Sequence, residues 1–390
     1  MTPRLLEGIR IIESANVITG PFAGMMLAHL GAEVIKVEPP NGDSFRNWDP
    51  KKKSVTPTFD VYNRGKRSIA LDLKKSEGRE VFKQLAKSAD VVIENSRPGA
   101  MERLGLGWEV LREINPGLVY CFITGLGSWG PESNQPTFDA VAQALSGLWS
   151  QFTDLNSPEP VGPPMADQLT GLYAAFAILA GVESSRRTGI GTKLEVSMLA
   201  SCIAFQGSNL ATFLSDGVVS SRRTRAEMSQ SYALIASDGL PFAIHLSSPQ
   251  KFWEGLCRSI GQPELIDDPR FVGKSDRIKN YDELLGILQQ AATTDSRASW
   301  LERLRVNDVP CAPILNVSEA IDHPQVRALG IIGYPSEGKP WVKAPIASDG
   351  EYLGAGIPAP LLSADADQIL ADIGLSEEEI AELRAKSVVC

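Results

Sequence analysis

The apolar positions in the first third of the chain fall in short runs separated by stretches of helical spacing. Residues 8–13 (GIRIIE) read as a buried strand, and 21–30 (PFAGMMLAHL) as a helix with proline at its start and glycine just after it. A second strand at 33–37 is ended by Pro39 and Pro40. A third at 68–73 leads into a helix over 76–89, a fourth follows at 90–95, and a fifth at 118–125 comes after a helix over 108–114. Mostly apolar strands alternating with helices predict an open parallel sheet covered on both faces. Ligands of such sheets bind beyond the carboxyl ends of the strands. No G-x-G-x-x-G follows the first strand, where the sequence is Asn16-Val17-Ile18-Thr19-Gly20-Pro21, so a dinucleotide is not signalled.

Helical spacing dominates the next stretch. Residues 138–152, 167–187 and 194–215 each read as one helix, and the polar, basic 220–228 (SSRRTRAEM) reads as a linker. Beyond it, ALIASDGLPFAIHL has the pattern of a hairpin turning at Asp238-Gly239. Helices at 249–260, 281–292 and 297–305 follow, and an amphipathic helix at 377–386 closes the chain. A length of 390 residues calls for two domains. The expected division is a large domain over 1–219, a small α+β domain over 220–325, and a C-terminal segment over 326–390.

Charge and rare residues narrow the chemistry. A net charge of −9 argues against a general nucleic-acid binder, while leaving room for a local basic pocket around one anionic ligand. The start, MTPRLLEG, lacks an apolar core of signal-peptide length, and the longest apolar run, 172–182, is too short to span a bilayer. No nucleic-acid or membrane partner is therefore expected, and the cytoplasm is the expected location. Cys121, Cys202, Cys257, Cys311 and Cys390 are scattered and odd in number, which reads as reduced thiols. His29, His245 and His323 have no metal-ligand neighbour at a usable spacing, and no G-x-S-x-G occurs. A zinc or serine hydrolase is thus disfavoured, and no metal site is expected.

Asp167 draws attention because it lies between a Pro/Gly loop, Gly162-Pro163-Pro164, and a long apolar run. A carboxylate at a loop-to-helix junction faces free backbone N–H groups and the positive end of the helix dipole. On the residues alone two readings stand. Asp167 is a helix cap, or it is a partly desolvated carboxylate kept ionised for nucleophilic work.

An ordered set of segments then carries a resemblance along nearly the whole chain: GPFAGMMLAHLGAEVIKVEPPNGD, NRGKRSIALDLKKSEGREVFKQLAKSADVVIEN, RPGAMERLGLGWEVLREINPGLVYCFITGLG, FDAVAQALSG, ADQLTGLYAAFAILAG, RRTGIGTKLEVSMLAS and PAPLLSADADQILADIGLSEEEIAEL. Together they resemble the class III CoA-transferases, a family that includes formyl-CoA transferase, carnitine CoA-transferase and α-methylacyl-CoA racemase. The resemblance implies a Rossmann-like large domain with an open, mostly parallel sheet plus a smaller α+β domain, the C-terminal segment returning to the large one. It also implies an interlocked-ring homodimer.

By the same resemblance the catalytic aspartate falls on Asp167, in the context Asp-x-x-Thr-Gly. Coenzyme A and acyl-CoA would be substrates, with no permanently bound cofactor, and CoA would pass to a carboxylic acid from a donor such as succinyl-CoA. Val17 and Ile18 would line the pantetheine path, Leu71, Leu73 and Lys74 would flank the adenine, Asn95 and Ser96 would contact the pantetheine, and Arg103 would pair with phosphate. The chain departs from formyl-CoA transferase at Pro39, an arginine there, at Ser96, an aromatic, at Ile18, a glutamine, and at Pro136, a lysine. These departures argue against formyl-CoA and oxalate as substrates. The racemase histidine falls on Phe138, which cannot carry a proton, so an acyl-CoA isomerase is the disfavoured alternative. A non-catalytic CoA-binding protein is opposed by the retained Asp167. Asp139 reads as a cap or hydrogen-bond anchor, and His245 as a candidate for acceptor recognition.

Overall fold

Neighbouring residues of each central strand face opposite cores. The computed structural model describes residues 4–48, 55–335 and 339–390. In it six strands form one parallel sheet: β1 (Arg10–Ser14), β2 (Glu33–Glu38), β3 (Arg67–Ala70), β4 (Val91–Glu94), β5 (Val119–Thr124) and β6 (Thr192–Ser197), in the order β3-β2-β1-β4-β5-β6. Ile11, Val91, Ile93, Val119 and Cys121 join one apolar cluster, while Ile12, Val92, Tyr120 and Phe122 join another. This is the period-two alternation of a strand with helices on both faces. Each fully buried isoleucine contributes roughly 1.5–3 kcal/mol by leaving water.

Connections run outward from β1 in one direction to β3 and in the other to β6. The order therefore reverses between β1 and β4, and a crevice opens there beyond the strand ends. The helix Thr19–His29 follows β1 and packs on one face, with Ala23, Met25, Met26 and Leu27 buried. The helix Met165–Thr188 lies on the same face, where Ala174, Ala175, Ile178 and Val182 share that cluster. It is long and apolar enough to cross a membrane by length and composition, contrary to the reading of the shorter run, yet its small-residue side belongs to this core. The end of the chain closes the β3 edge. Ser363 Oγ accepts from the Ala70 N–H at 3.1 Å, an Asp365 oxygen accepts from the Ser68 N–H at 2.8 Å, and Leu71 bridges to Val389.

Three expected elements come out differently. Residues 194–215 are not one helix: Thr192–Ser197 is β6, added to β5, and two helices follow at Met198–Phe205 and Gly207–Asp216. Pairing along six residues of β5 outweighs the helical tendency of this edge segment. Residues 138–152 divide into a helix, Asp139–Leu145, and a short 3-10 turn, Leu148–Gln151, with Gly147 in the left-handed region between them (φ 77°). The basic stretch read as a linker runs into the helix Thr224–Ser229, which begins within it.

Two compact units result. One comprises Met1–Trp149, Val161–Gly207 and Leu329–Cys390, and the other Ser150–Pro160 and Ser208–Ala328. The second holds an antiparallel sheet of β7 (Ser231–Ile235), β8 (Pro241–His245) and β9 (Cys311–Pro313). The β7–β8 hairpin turns through Asp238-Gly239, where Gly239 takes φ 75°. Trp253, Leu256, Phe271, Leu284, Trp300 and Leu304 fill its core.

Candidate active site

Residues that follow β1, β4 and β5 meet at the crevice where the strand order reverses. Asn16 and Asn95 tie the ends of β1 and β4 together: the Asn16 N–H donates to Asn95 Oδ1 at 3.0 Å, and Asn95 Nδ2 donates to the Asn16 carbonyl at 2.9 Å. Between them Val17 takes φ 69°, a left-handed conformation that a β-branched residue seldom adopts. Its N–H is held by the Asp43 carboxylate at 3.1 and 3.2 Å. Asp43 belongs to a fully buried ionic cluster. Lys36 Nζ lies 3.0 Å from Asp43 Oδ2 and 3.2 Å from Glu13 Oε1, and Lys66 Nζ lies 2.7 Å from Glu13 Oε2. Gly24 makes room for it, since a Cβ there would be 1.9 Å from Glu13 Oε2. The cluster fixes the loop at the end of β1 from beneath.

A cavity of ≈ 210 Å³ opens above this loop, lined by Asn16, Val17, Thr19, Asn95, Ser96, Thr137, Phe138 and Asp167 among others. Asp167 is half-buried in the first turn of Met165–Thr188. It is not the cap of that helix. Asp139, from the start of the neighbouring helix, accepts the Ala166 N–H at 2.8 Å and the Asp167 N–H at 3.2 Å on one oxygen. The Met165 and Gln168 N–H groups go to the carbonyls of Pro163 and Pro164 at 2.7 and 3.2 Å. The expectation of free N–H groups beside Asp167 is thus corrected, because all of that first turn is already satisfied. The Asp167 carboxylate instead accepts from the Thr19 hydroxyl. Burial pushes its pKa up to about 6, the Thr19 hydrogen bond opposes that rise, and the Asp139 charge adds to it.

The Asp-x-x-Thr-Gly context has a packing explanation. Thr170 Oγ1 bonds back to the Ala166 carbonyl at 2.6 Å and leaves no buried hydroxyl unmatched. A Cβ on Gly171 would lie 2.7 Å from the Thr19 carbonyl oxygen and 2.8 Å from Phe22 Cδ1. Glycine lets the two helices approach until Thr19 and Asp167 touch.

The other residues singled out from the sequence lie in different settings. Val17, Asn95 and Ser96 line the cavity with Asp167, although the Asn95 amide is engaged with Asn16. The Ser96 N–H is held by Glu94 at 2.7 Å, a buried carboxyl pushed up to about 7 by desolvation. Ile18 is half-buried against the apolar cluster under the first helix. Leu71 offers no side-chain surface to an adenine: it is 1% exposed, packed in the core beneath the C-terminal segment. Leu73 packs partly against that same cluster, while Lys74 and Arg103 are exposed. Phe138 is 71% exposed at the cavity. In the second unit His245 Nδ1 pairs with the Ser231 hydroxyl at 2.8 Å. His29 is buried edge-on to Trp341 with its pKa lowered to about 4 by burial.

Sequence reasoning missed Thr19. The available signal was topological: a hydroxyl residue in the loop after the first strand belongs at the switch point. Arg97, directly after Ser96, is exposed, and its guanidinium has no partner among the described residues.

Residues 6–366 match CoA-transferase family III. The chain belongs to that family. It is 35% identical over 395 residues to the succinyl-CoA:glutarate CoA-transferase of Homo sapiens, covering 98% of this chain and 90% of that protein. To the acetyl-CoA:oxalate CoA-transferase of Acetobacter aceti it is 35% identical over 330 residues, 84% of this chain and 85% of the other. A crystal structure of a CAIB/BAIF family protein from Brucella suis superposes with a TM-score of 0.84 at 32% identity, covering 95% of this chain and 99% of that one. The protein is thus an enzyme of the family III CoA-transferase class, with CoA thioesters as substrates.

Proposed function

We propose that the enzyme moves CoA from an acyl-CoA donor of the succinyl-CoA kind to a carboxylic acid through covalent intermediates on Asp167. The observation that carries this reading is the Asp167 carboxylate itself, facing the switch-point cavity with one oxygen held by Thr19. The free oxygen attacks the thioester carbonyl and the CoA thiolate leaves, giving an acyl-aspartyl anhydride. The thiolate then attacks the aspartyl carbonyl, forming an aspartyl-CoA thioester and releasing the donor acid with one former Asp167 oxygen. The acceptor carboxylate attacks that thioester, a second anhydride forms, and the returning thiolate takes the new acyl group. Each step exchanges one activated acyl bond for another, so no nucleotide is consumed. Water has to be excluded while the anhydride exists, and the apolar flank of Phe138, Met198 and Ile123 supports this.

Names of relatives support succinyl-CoA as donor, and glutarate and oxalate mark the range of acids those enzymes handle. Exposed Arg97 and Arg103 would meet the phosphates and exposed Lys74 the adenine, with Val17, Asn95 and Ser96 along the pantetheine. We also propose a homodimer, supported by the exposed apolar surface of Trp129, Phe176, Ile203 and Phe205, and a cytoplasmic location, supported by five unpaired cysteines. The test is incubation with succinyl-CoA, quenching with borohydride or hydroxylamine, and mass spectrometry of the Asp167 peptide. An adduct at Asp167 is expected. CoA exchange at full speed with no adduct would reject the mechanism, and α-proton exchange without transfer would favour the isomerase.

A further inference from the structure

The proposed mechanism asks for two different events at one carboxylate, and the two Asp167 oxygens are not equivalent. Oδ1 accepts the Thr19 hydroxyl, and Oδ2 has no hydrogen-bond partner among the described residues. Thr19 is 5% exposed at the first position of the helix Thr19–His29. Gly171 leaves room for its carbonyl, since a Cβ there would lie 2.7 Å from the Thr19 oxygen, and this close approach of the two helices brings the hydroxyl onto Asp167. Backbone donors from the first turn of Met165–Thr188 are taken by Asp139, Pro163 and Pro164.

We infer that Thr19 is a catalytic residue whose hydroxyl leaves Oδ2 as the nucleophilic atom and then stabilises the oxyanion that forms on Oδ1 when CoA thiolate attacks the Asp167 carbonyl. This rests on the reading of Asp167 as nucleophile. In the anhydride, Oδ2 bridges the acyl carbon and Cγ, and Oδ1 is the aspartyl carbonyl oxygen. Sulfur bonds to Cγ, the carbonyl electron pair moves onto Oδ1, and the Thr19 hydroxyl donates to it. Collapse breaks the Cγ–Oδ2 bond, and the donor acid departs as a carboxylate carrying Oδ2. The anhydride has two carbonyls open to the thiolate. Attack at the acyl carbon regenerates the donor thioester, whereas attack at Cγ moves the reaction forward. A hydroxyl aimed at Oδ1 lowers the second barrier selectively.

The test uses the full-length enzyme and succinyl-CoA without acceptor acid, following succinate release and the mass of the intact protein by rapid quench. Wild type should release succinate as the covalent CoA adduct appears. Thr19→Val, nearly isosteric, should form that adduct on the order of 10²-fold more slowly, and Thr19→Ser should restore the rate to within a few-fold. A second readout separates this role from packing. Loss of the hydrogen bond should move the acidic limb of kcat/KM to higher pH in Thr19→Val and not in Thr19→Ser, with Asp139 and Cys202, the other titratable groups facing Asp167, unchanged. A Thr19→Val enzyme that forms the CoA adduct at the wild-type rate with its acidic limb unmoved would overturn the assignment to Thr19 alone. A wild type that transfers CoA with no adduct would overturn the nucleophile reading and this inference with it. Should Thr19→Val fail to fold, Thr19→Ala and Thr19→Ser decide by the same two readouts.

Discussion

Asp139 receives the backbone N–H of Asp167 at 3.2 Å, so the charge that anchors the proposed nucleophile also repels it. The Asp139 carboxylate caps a helix that is not its own and brings a second negative charge to the site. Asp139→Asn keeps an oxygen for the Ala166 and Asp167 N–H groups and removes the charge. The Asp167 carboxylate then ionises more readily. Because attack requires the ionised form, activity falls as pH drops through about 6 in the wild type, and that limb should shift to lower pH in the variant. The pH profile of kcat/KM measures this. A limb that stays in place would show that Asp139 acts only through its hydrogen bonds.

Asp167 opposes folding when charged. Its folded pKa of about 6 exceeds its unfolded value of 3.8, so burial of the anion costs stability above pH 6, and the cost fades as pH falls toward 4. Asp167→Asn retains the Thr19 hydrogen bond and discards the charge. The expected result is an inactive protein roughly 1–3 kcal/mol more stable near pH 7.5, with the difference gone near pH 4. Denaturant melts of both proteins across this range decide the matter. A variant less stable than wild type at pH 7.5 would mean the carboxylate is better solvated than the structure implies.

Gly171→Ala tests how closely the two helices must approach. The new Cβ would press on a backbone oxygen, the Thr19 carbonyl at 2.7 Å, which cannot swing aside. Overpacking costs typically about 1–3 kcal/mol, and alanine returns nearly 1 kcal/mol of helix propensity. Stability should therefore change little while the Thr19–Asp167 contact opens. A displacement of about 1 Å at a reacting group can cost on the order of 10²-fold in rate. We expect a large fall in kcat with a Tm lowered by only a few degrees, measured on the same preparation. Equal losses in both would assign Gly171 to packing alone.

The sheet and its two apolar faces were legible in the sequence because β1, β2, β4 and β5 are buried on both sides and read as apolar runs. β6 was not legible. Thr192–Ser197 is an edge strand without a fully buried residue, and its pattern merges into the apolar helix that follows. Asp167 stood out by its position between a proline loop and a long helix, yet its chemistry lies in contacts made across 148 residues to Thr19 and 28 residues to Asp139. No local pattern encodes those distances. They follow from the strand order and from Gly171, whose role shows only once both helices are in place. Leu71 illustrates the converse, since a strand-end leucine looks available to a ligand until the C-terminal segment is seen to cover it.

Phe138 stands at the cavity beside Asp139, where a proton-carrying side chain would make a second base. Phenylalanine offers only an apolar wall. In the proposed cycle the anhydride meets two nucleophiles, the bound thiolate and water, and the wall matters only for the second. Phe138→Ala should leave the first attack on the thioester nearly unchanged and admit water to the intermediate. Succinyl-CoA hydrolysis relative to transfer should then rise on the order of 10-fold, equivalent to about 1.4 kcal/mol between the two barriers. Phe138→Leu, which keeps an apolar flank, should stay near the wild-type ratio. The two products, free CoA and the acceptor thioester, are counted in one chromatographic run. If Phe138→Ala slows hydrolysis and transfer together with their ratio constant, the ring serves to position substrate and does not keep the site dry.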